Sequence, residues 1–175
     1  MQYDEDELNE TFGVVNFMLC ELRDYKIYPT NLVLQKLLFF AYGIHLSLFN
    51  EKLFPSQIQA WRLGPVVPAV YREFKDYGGN LITRDATMLS PDGEITPPVL
   101  RISDSENKIK SIKIACLTYG RKTARDLVDK THKSGYAWYR SYKQNEHNIV
   151  ISDDDIRNEF NERLLNEIDV ELFGL

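Results

Sequence analysis

The chain has 175 residues, 27% of them charged and 43% hydrophobic, the make-up of one globular domain that can bury about two thirds of its unfolded surface without disulfide or metal staples. Its net charge of −5 is unevenly spread: residues 1–10 carry five acids and no base, residues 152–175 carry −6, and residues 101–143 carry +7. The acidic start is the opposite of a secretory signal, no apolar run reaches about 20 residues without an interrupting polar group, and Cys20 and Cys116 have no metal-ligand spacing, so a cytoplasmic protein with buried thiols and no membrane contact is expected.

Residues 1–7 are expected to fray. A helix is expected from about Asp6 to Asp24, where Leu8, Phe12, Val15, Leu19 and Leu22 form one apolar stripe. Pro29 and a Thr30 or Asn31 cap mark the start of a second helix, over about 31–49. Leu34, Leu37, Leu38, Ala41, Ile44 and Leu48, widened by Phe39 and Phe40, make it apolar nearly all round, which is the pattern of a central helix. Lys36 and His45 are polar points inside it, and Gly43 permits close approach of another element at a helix-propensity cost of about 1 kcal/mol. Residues 57–62 alternate as a short strand. Gly64-Pro65-Val66-Val67-Pro68 reads as a rigid turn that feeds a helix over about 68–77, ended by Gly78-Gly79.

Residues 80–103 are the least regular. Leu81–Thr83 and Val99–Ile102 can pair around Ser90-Pro91-Asp92-Gly93, but Pro97-Pro98 argues against a long ladder, so a loop with at most short strands is expected. Helical pattern returns from about Asp104 to Gly120, with Ile109, Ile112, Cys116 and Tyr119 on one face. It resumes at Thr123, which with Asp126 forms an approximate capping box. Ala137–Arg140 reads as an aromatic turn or short helix, and Ser152 with Asp155 caps a last helix bearing Ile156, Phe160 and Leu164. The fold class is therefore mainly α. It is a compact single-domain bundle over 1–175, around the central helix, with short strands at about 57–62 and within 80–103.

No catalytic, cofactor or metal motif is present: no phosphate-binding glycine loop, no nucleophile elbow, no His-Glu-x-x-His. Cys116 with His132 would be a nucleophile–base pair without a motif. The chain does not read as an enzyme. Helix–Gly120–helix over 109–133 has the outline of a helix-turn-helix bearing Arg121, Lys122, Arg125, Lys130 and Lys133, so DNA binding is an alternative. The plainer explanation of the basic middle is complementarity with the acidic ends.

Two blocks of residues resemble the Panacea domain of the SocA-like antitoxin family, which includes phage-associated GepA-like proteins. The first is Leu34–Ala41 with His45, continuing through Ala60-Trp61, Gly64–Pro68 and Val70-Tyr71. The second is Leu127–His132 followed by Trp138. The resemblance implies a mostly helical antitoxin that neutralises a cognate protein toxin, encoded next door, by direct binding. In one branch of the family the antitoxin delivers its toxin to a protease. The family-motif residues Lys36, Tyr42, His45, Trp61, Arg62, Gly64, Pro65, Tyr71, Thr131, His132 and Trp138 are the candidates for partner binding or for the scaffold behind it, with Lys36, His45 and Arg62 expected as internal polar fasteners. The aromatics Tyr42, Trp61, Tyr71 and Trp138 suit either an interface or a core. Toxin specificity is expected in 80–103 or at the acidic ends, and the oligomeric state is left open.

Overall fold

A computed structural model describes residues 4–90, 92–100 and 105–168. Helix α1 spans Glu5–Asp24, with the Asp4 carboxylate accepting from the backbone N–H groups of Asp6 and Glu7. This cap corrects the expectation of fraying over 4–7, residues 1–3 lying outside the described residues: from Glu5 on, the chain is helical, and three acids in the first turn favour the positive end of the helix dipole. Helix α2, Asn31–Phe49, has the expected bounds. Thr30 caps its start, and Asn50 in the left-handed region (φ 55°) ends it. At 19 residues α2 is long and apolar enough to cross a membrane, contrary to the sequence reading, but 72% of its most apolar 18-residue stretch is buried within this fold. Its apolar surface is covered by protein, as in the core helix of a globular domain.

Two helices cover α2. Helix α4, Glu106–Tyr119, brings Ile112, Ala115, Cys116 and Tyr119 into the core, and α7, Asp153–Asn166, brings Ile156 and Phe160. The Tyr119 ring stacks on Phe40 with centroids 4.1 Å apart, and Phe160 meets Phe39 and Phe40 edge-on. Gly43 makes the α2–α7 contact possible. A Cβ there would lie 2.1 Å from the Phe160 ring, so the lost helix propensity is offset by a close helix approach. Helix α1 packs its stripe on α4, and each fully buried Leu or Phe contributes about 1.5–3 kcal/mol.

A small hairpin also packs on α2. Strand β1, Gln59–Trp61, pairs antiparallel with β2, Gly64–Val66, in the register Gln59 to Val66, Ala60 to Pro65 and Trp61 to Gly64. The run read as a rigid turn is thus the second strand of a hairpin. The expected strand at 57–62 is real but shorter, and its other edge meets Ile149–Ile151. Helix α3 covers Pro68–Glu73, followed by a 3-10 turn at Lys75–Tyr77. Strands β3, Met88–Leu89, and β4, Ile95–Thr96, form a second small hairpin. Leu81–Thr83 does not belong to it, because the Ile82 N–H donates to Pro29 O; Arg101 and Ile102 lie outside the described residues. Helix α5, Ala124–Thr131, carries the full Thr123–Asp126 capping box, and α6 is Ala137–Ser141. Cys116 is buried, and burial pushes its thiol up to about 12; Cys20 is exposed, against expectation, because it falls off the buried stripe of α1.

Candidate functional site

The β1–β2 hairpin is held from behind by side chains of three helices. Lys36, on α2, is 0% exposed, and its Nζ donates to Pro65 O at 2.8 Å. No carboxylate accompanies it among the described residues, and burial lowers its pKa to about 7. The preceding residue, Gln35, accepts from the Val67 N–H at 2.8 Å and donates to Asn31 Oδ1 at 3.0 Å, and Asn31 donates to Tyr71 O at 3.0 Å. The outer edge of β2 is thereby satisfied by α2 side chains, in place of a third strand.

Gly64 has φ +107°, a conformation that favours glycine, and it sits in a tight cradle. A Cβ there would lie 2.8 Å from both Lys36 Nζ and Thr131 Oγ1. Thr131, on α5, is buried and donates to Val128 O at 2.9 Å. His132 follows, its ring stacked on Trp138 at 3.6 Å with 5° between the planes. Burial and the nearby Lys36 charge lower the His132 pKa, and its buried Nε2 has no hydrogen-bond partner among the described residues. Trp138, on α6, also stacks on Tyr142, and its Nε1 donates to Trp61 O at 2.8 Å. Two donors, Lys36 and Trp138, thus fix the hairpin backbone at Pro65 and Trp61, on either side of its turn.

The turn itself, Arg62-Leu63, faces solvent. Arg62 is exposed, which corrects its expected role as an internal fastener: it lies at the turn, beyond the alternation of β1. Leu63 is 48% exposed and Tyr71 39%, and Trp61 is half-buried with its ring edge-on to Tyr71 at 5.0 Å. Of the eleven candidate residues, Lys36, Gly64, Pro65, Thr131, His132 and Trp138 form the buried frame, while Trp61, Arg62 and Tyr71 reach the surface it supports.

Tyr42 and His45 belong elsewhere. Tyr42 is buried and donates to Asp153 Oδ1 at 2.8 Å; burial, with that carboxylate, raises its pKa. His45 is an internal fastener as expected. Its Nδ1 shares a hydrogen bond with Ser111 Oγ at 3.0 Å, and that hydroxyl is also within 3.0 Å of Asn107 O. Burial, then Lys108, pushes His45 down to about 4 and keeps it neutral.

Sequence reasoning passed over Asn31 as a fastener, and it missed a buried ion pair. The Arg163 guanidinium donates to Glu159 Oε1 at 2.8 Å and to Lys130 O, and both side chains are 1% exposed. Glu159 also accepts from the Ala137 N–H, so the pair ties α7 to α5 and α6. Its signal was the Glu-to-Arg spacing of four on one helix. The helices flanking Gly120 are present, but Lys130 and Lys133 pair with Glu167 and Glu162 of the C-terminal region, at 3.0 and 3.5 Å. Part of the basic middle therefore meets the acidic end inside one molecule.

Residues 34–139 match the family model described as antitoxin SocA-like, Panacea domain. The chain is 37% identical over 129 residues to a protein named antitoxin SocA from Caulobacter vibrioides, over 72% of this chain and 66% of that protein. The matched stretch is just under two thirds of that relative's length. No solved structure matches the chain. Every residue of the frame lies within 34–139.

Proposed function

Because the chain belongs to the antitoxin SocA-like, Panacea-domain family, we propose that it is an antitoxin, which binds a cognate protein toxin and silences it by direct contact. The observation that carries this reading is the match across 34–139, together with the identity to a protein named as an antitoxin. The geometry suits it. A turn bearing Arg62 and Leu63 stands beside Trp61 and Tyr71 on a hairpin clamped by Lys36 and Trp138. Aromatic side chains on a fixed backbone lose little entropy on binding, and an exposed arginine beside them adds a charged, many-donor contact, which together suit a recognition surface.

The test is co-expression with the toxin encoded in the neighbouring reading frame. The toxin alone should stop growth, this chain should restore it, and the two should co-purify. A harmless neighbour, or no rescue, overturns the proposal. Toxin levels in the rescued cells separate two routes: a blocked toxin persists, whereas one delivered to a protease disappears.

A further inference from the structure

Beside the hairpin turn lies a groove of about 330 Å³, between the start of α2, the turn and α3. This is the low end of the volume range of ligand pockets, enough for one or two large side chains. Trp61, Leu63 and Tyr71 form its walls and leave apolar surface open to water. Its polar floor, Asn31 and Gln35, is already engaged with Tyr71 O and the Val67 N–H, so it does not compete for the hydrogen bonds of an incoming group.

The charge around the groove is one-sided. Arg62 and Lys75 line it and no acid does. Neither cation has a carboxylate partner among the described residues, although many other bases have one: Arg23 with Asp85, Arg84 with Glu73, Lys108 with Glu10, Lys130 with Glu167 and Arg140 with Asp155. In a chain of net charge −5, two uncompensated cations flank one aromatic groove. An occupant that complements them brings carboxylates to the rim and an apolar side chain to the walls.

We propose that this groove binds an acidic segment of a protein partner, with one aromatic side chain seated among Trp61, Leu63 and Tyr71 and flanking carboxylates on Arg62 and Lys75. The proposal rests on the antitoxin reading and narrows it to the chemistry of the toxin's contact segment. The clamped hairpin holds the walls in place before the segment arrives, so binding requires no rearrangement of the backbone.

The experiment is an NMR titration of the full chain that follows the two indole N–H signals. The probe is a short synthetic peptide with a central phenylalanine flanked by aspartates. Its controls carry lysines in place of the aspartates, or serine in place of the phenylalanine. The acidic aromatic peptide should shift the Trp61 signal more than that of Trp138, and both controls should bind more weakly. Arg62→Glu with Lys75→Glu should lower the affinity about tenfold. Both positions are exposed, and circular dichroism checks that the fold is kept. Equal binding of the lysine control, no shift at millimolar peptide, or unchanged affinity in the double variant would overturn the proposal. So would a dimer in sedimentation that the double variant dissolves, since a second copy would then be the occupant. Rescue of growth left intact by the double variant removes the groove assignment and keeps the antitoxin reading; loss of rescue by the unmodified chain removes the antitoxin reading itself.

Discussion

The β1–β2 and β3–β4 hairpins both use very short antiparallel strands, and each has a positive-φ glycine at or beside its turn, Gly64 and Gly93. Their surroundings differ. Gly64 is packed between Lys36 and Thr131, and its hairpin is fixed by donors from α2 and α6. Gly93 has open space where a Cβ would go. The β3–β4 hairpin is tied down near its base, where Asn16 bonds Ala86 and Pro98 O and the Thr87 N–H donates to Glu73, and it leaves Leu89, Ile95 and Val99 at 69%, 71% and 79% exposure. A glycine of the same backbone class therefore means a crowded frame in one hairpin and only a turn in the other.

The largest effect should come from the glycines themselves. Gly64→Ala should cost about 3 kcal/mol in urea unfolding, from left-handed strain plus displacement of Lys36 and Thr131, and Gly93→Ala about 1 kcal/mol from strain alone. Equal costs would remove the contrast between the hairpins.

The pH dependence of stability comes next. The Lys36 ammonium has a pKa of about 7 when folded and an ordinary lysine value when unfolded, so above pH 7 the unfolded chain holds the extra proton. The associated penalty is full below pH 7 and is relieved as pH rises, by up to about 1.4 kcal/mol per unit. Unfolding measured from pH 7 to 9 should show this rise in the parent chain, and Lys36→Met should flatten it. A slope unchanged in Lys36→Met would show that the lysine is not held dry behind the hairpin.

The smallest contrast is between Trp138→Phe and a pair of changes on the other hairpin. Losing the donor to Trp61 O should cost about 1 kcal/mol, whereas Leu89→Thr and Ile95→Thr should each stay within about 0.5 kcal/mol. Thermal or urea unfolding of the three variants makes the comparison.

Much of this was legible in the residues. The cap at Thr30, the bounds of α2, the Thr123–Asp126 box and the use of Gly43 are local signals, carried by adjacent residues or by a helical period. The strand at Gly64–Val66 was not legible, because its formation depends on partners far along the chain: Lys36 and Gln35 satisfy its edge, and Thr131 shapes its cradle. Short strands do lie within 80–103 as expected, but not at Leu81–Thr83, and for a similar reason. Asn16, on α1, gathers Ala86 and Pro98, and Pro29 takes Ile82, so the strands form further out at Met88–Leu89 and Ile95–Thr96. Of the candidate site, the motif marked the buried frame. The surface it supports, with Leu63 and Lys75, carries no sequence signal of its own and emerges only when the turn and α3 come together.

In the function proposed above, the buried frame presents the β1–β2 turn to a cognate toxin. The most direct test is the toxin affinity of two folded variants, Arg62→Glu with Leu63→Ser on one hairpin and Leu89→Ser with Ile95→Ser on the other, measured on purified complexes. The first should lose binding by tenfold or more, as expected for removal of an arginine and its apolar neighbour at an interface centre, at about 1.4 kcal/mol per tenfold. The second should bind as the parent does. Loss of binding in the second variant with full binding in the first would place recognition on the exposed hairpin and contradict the account.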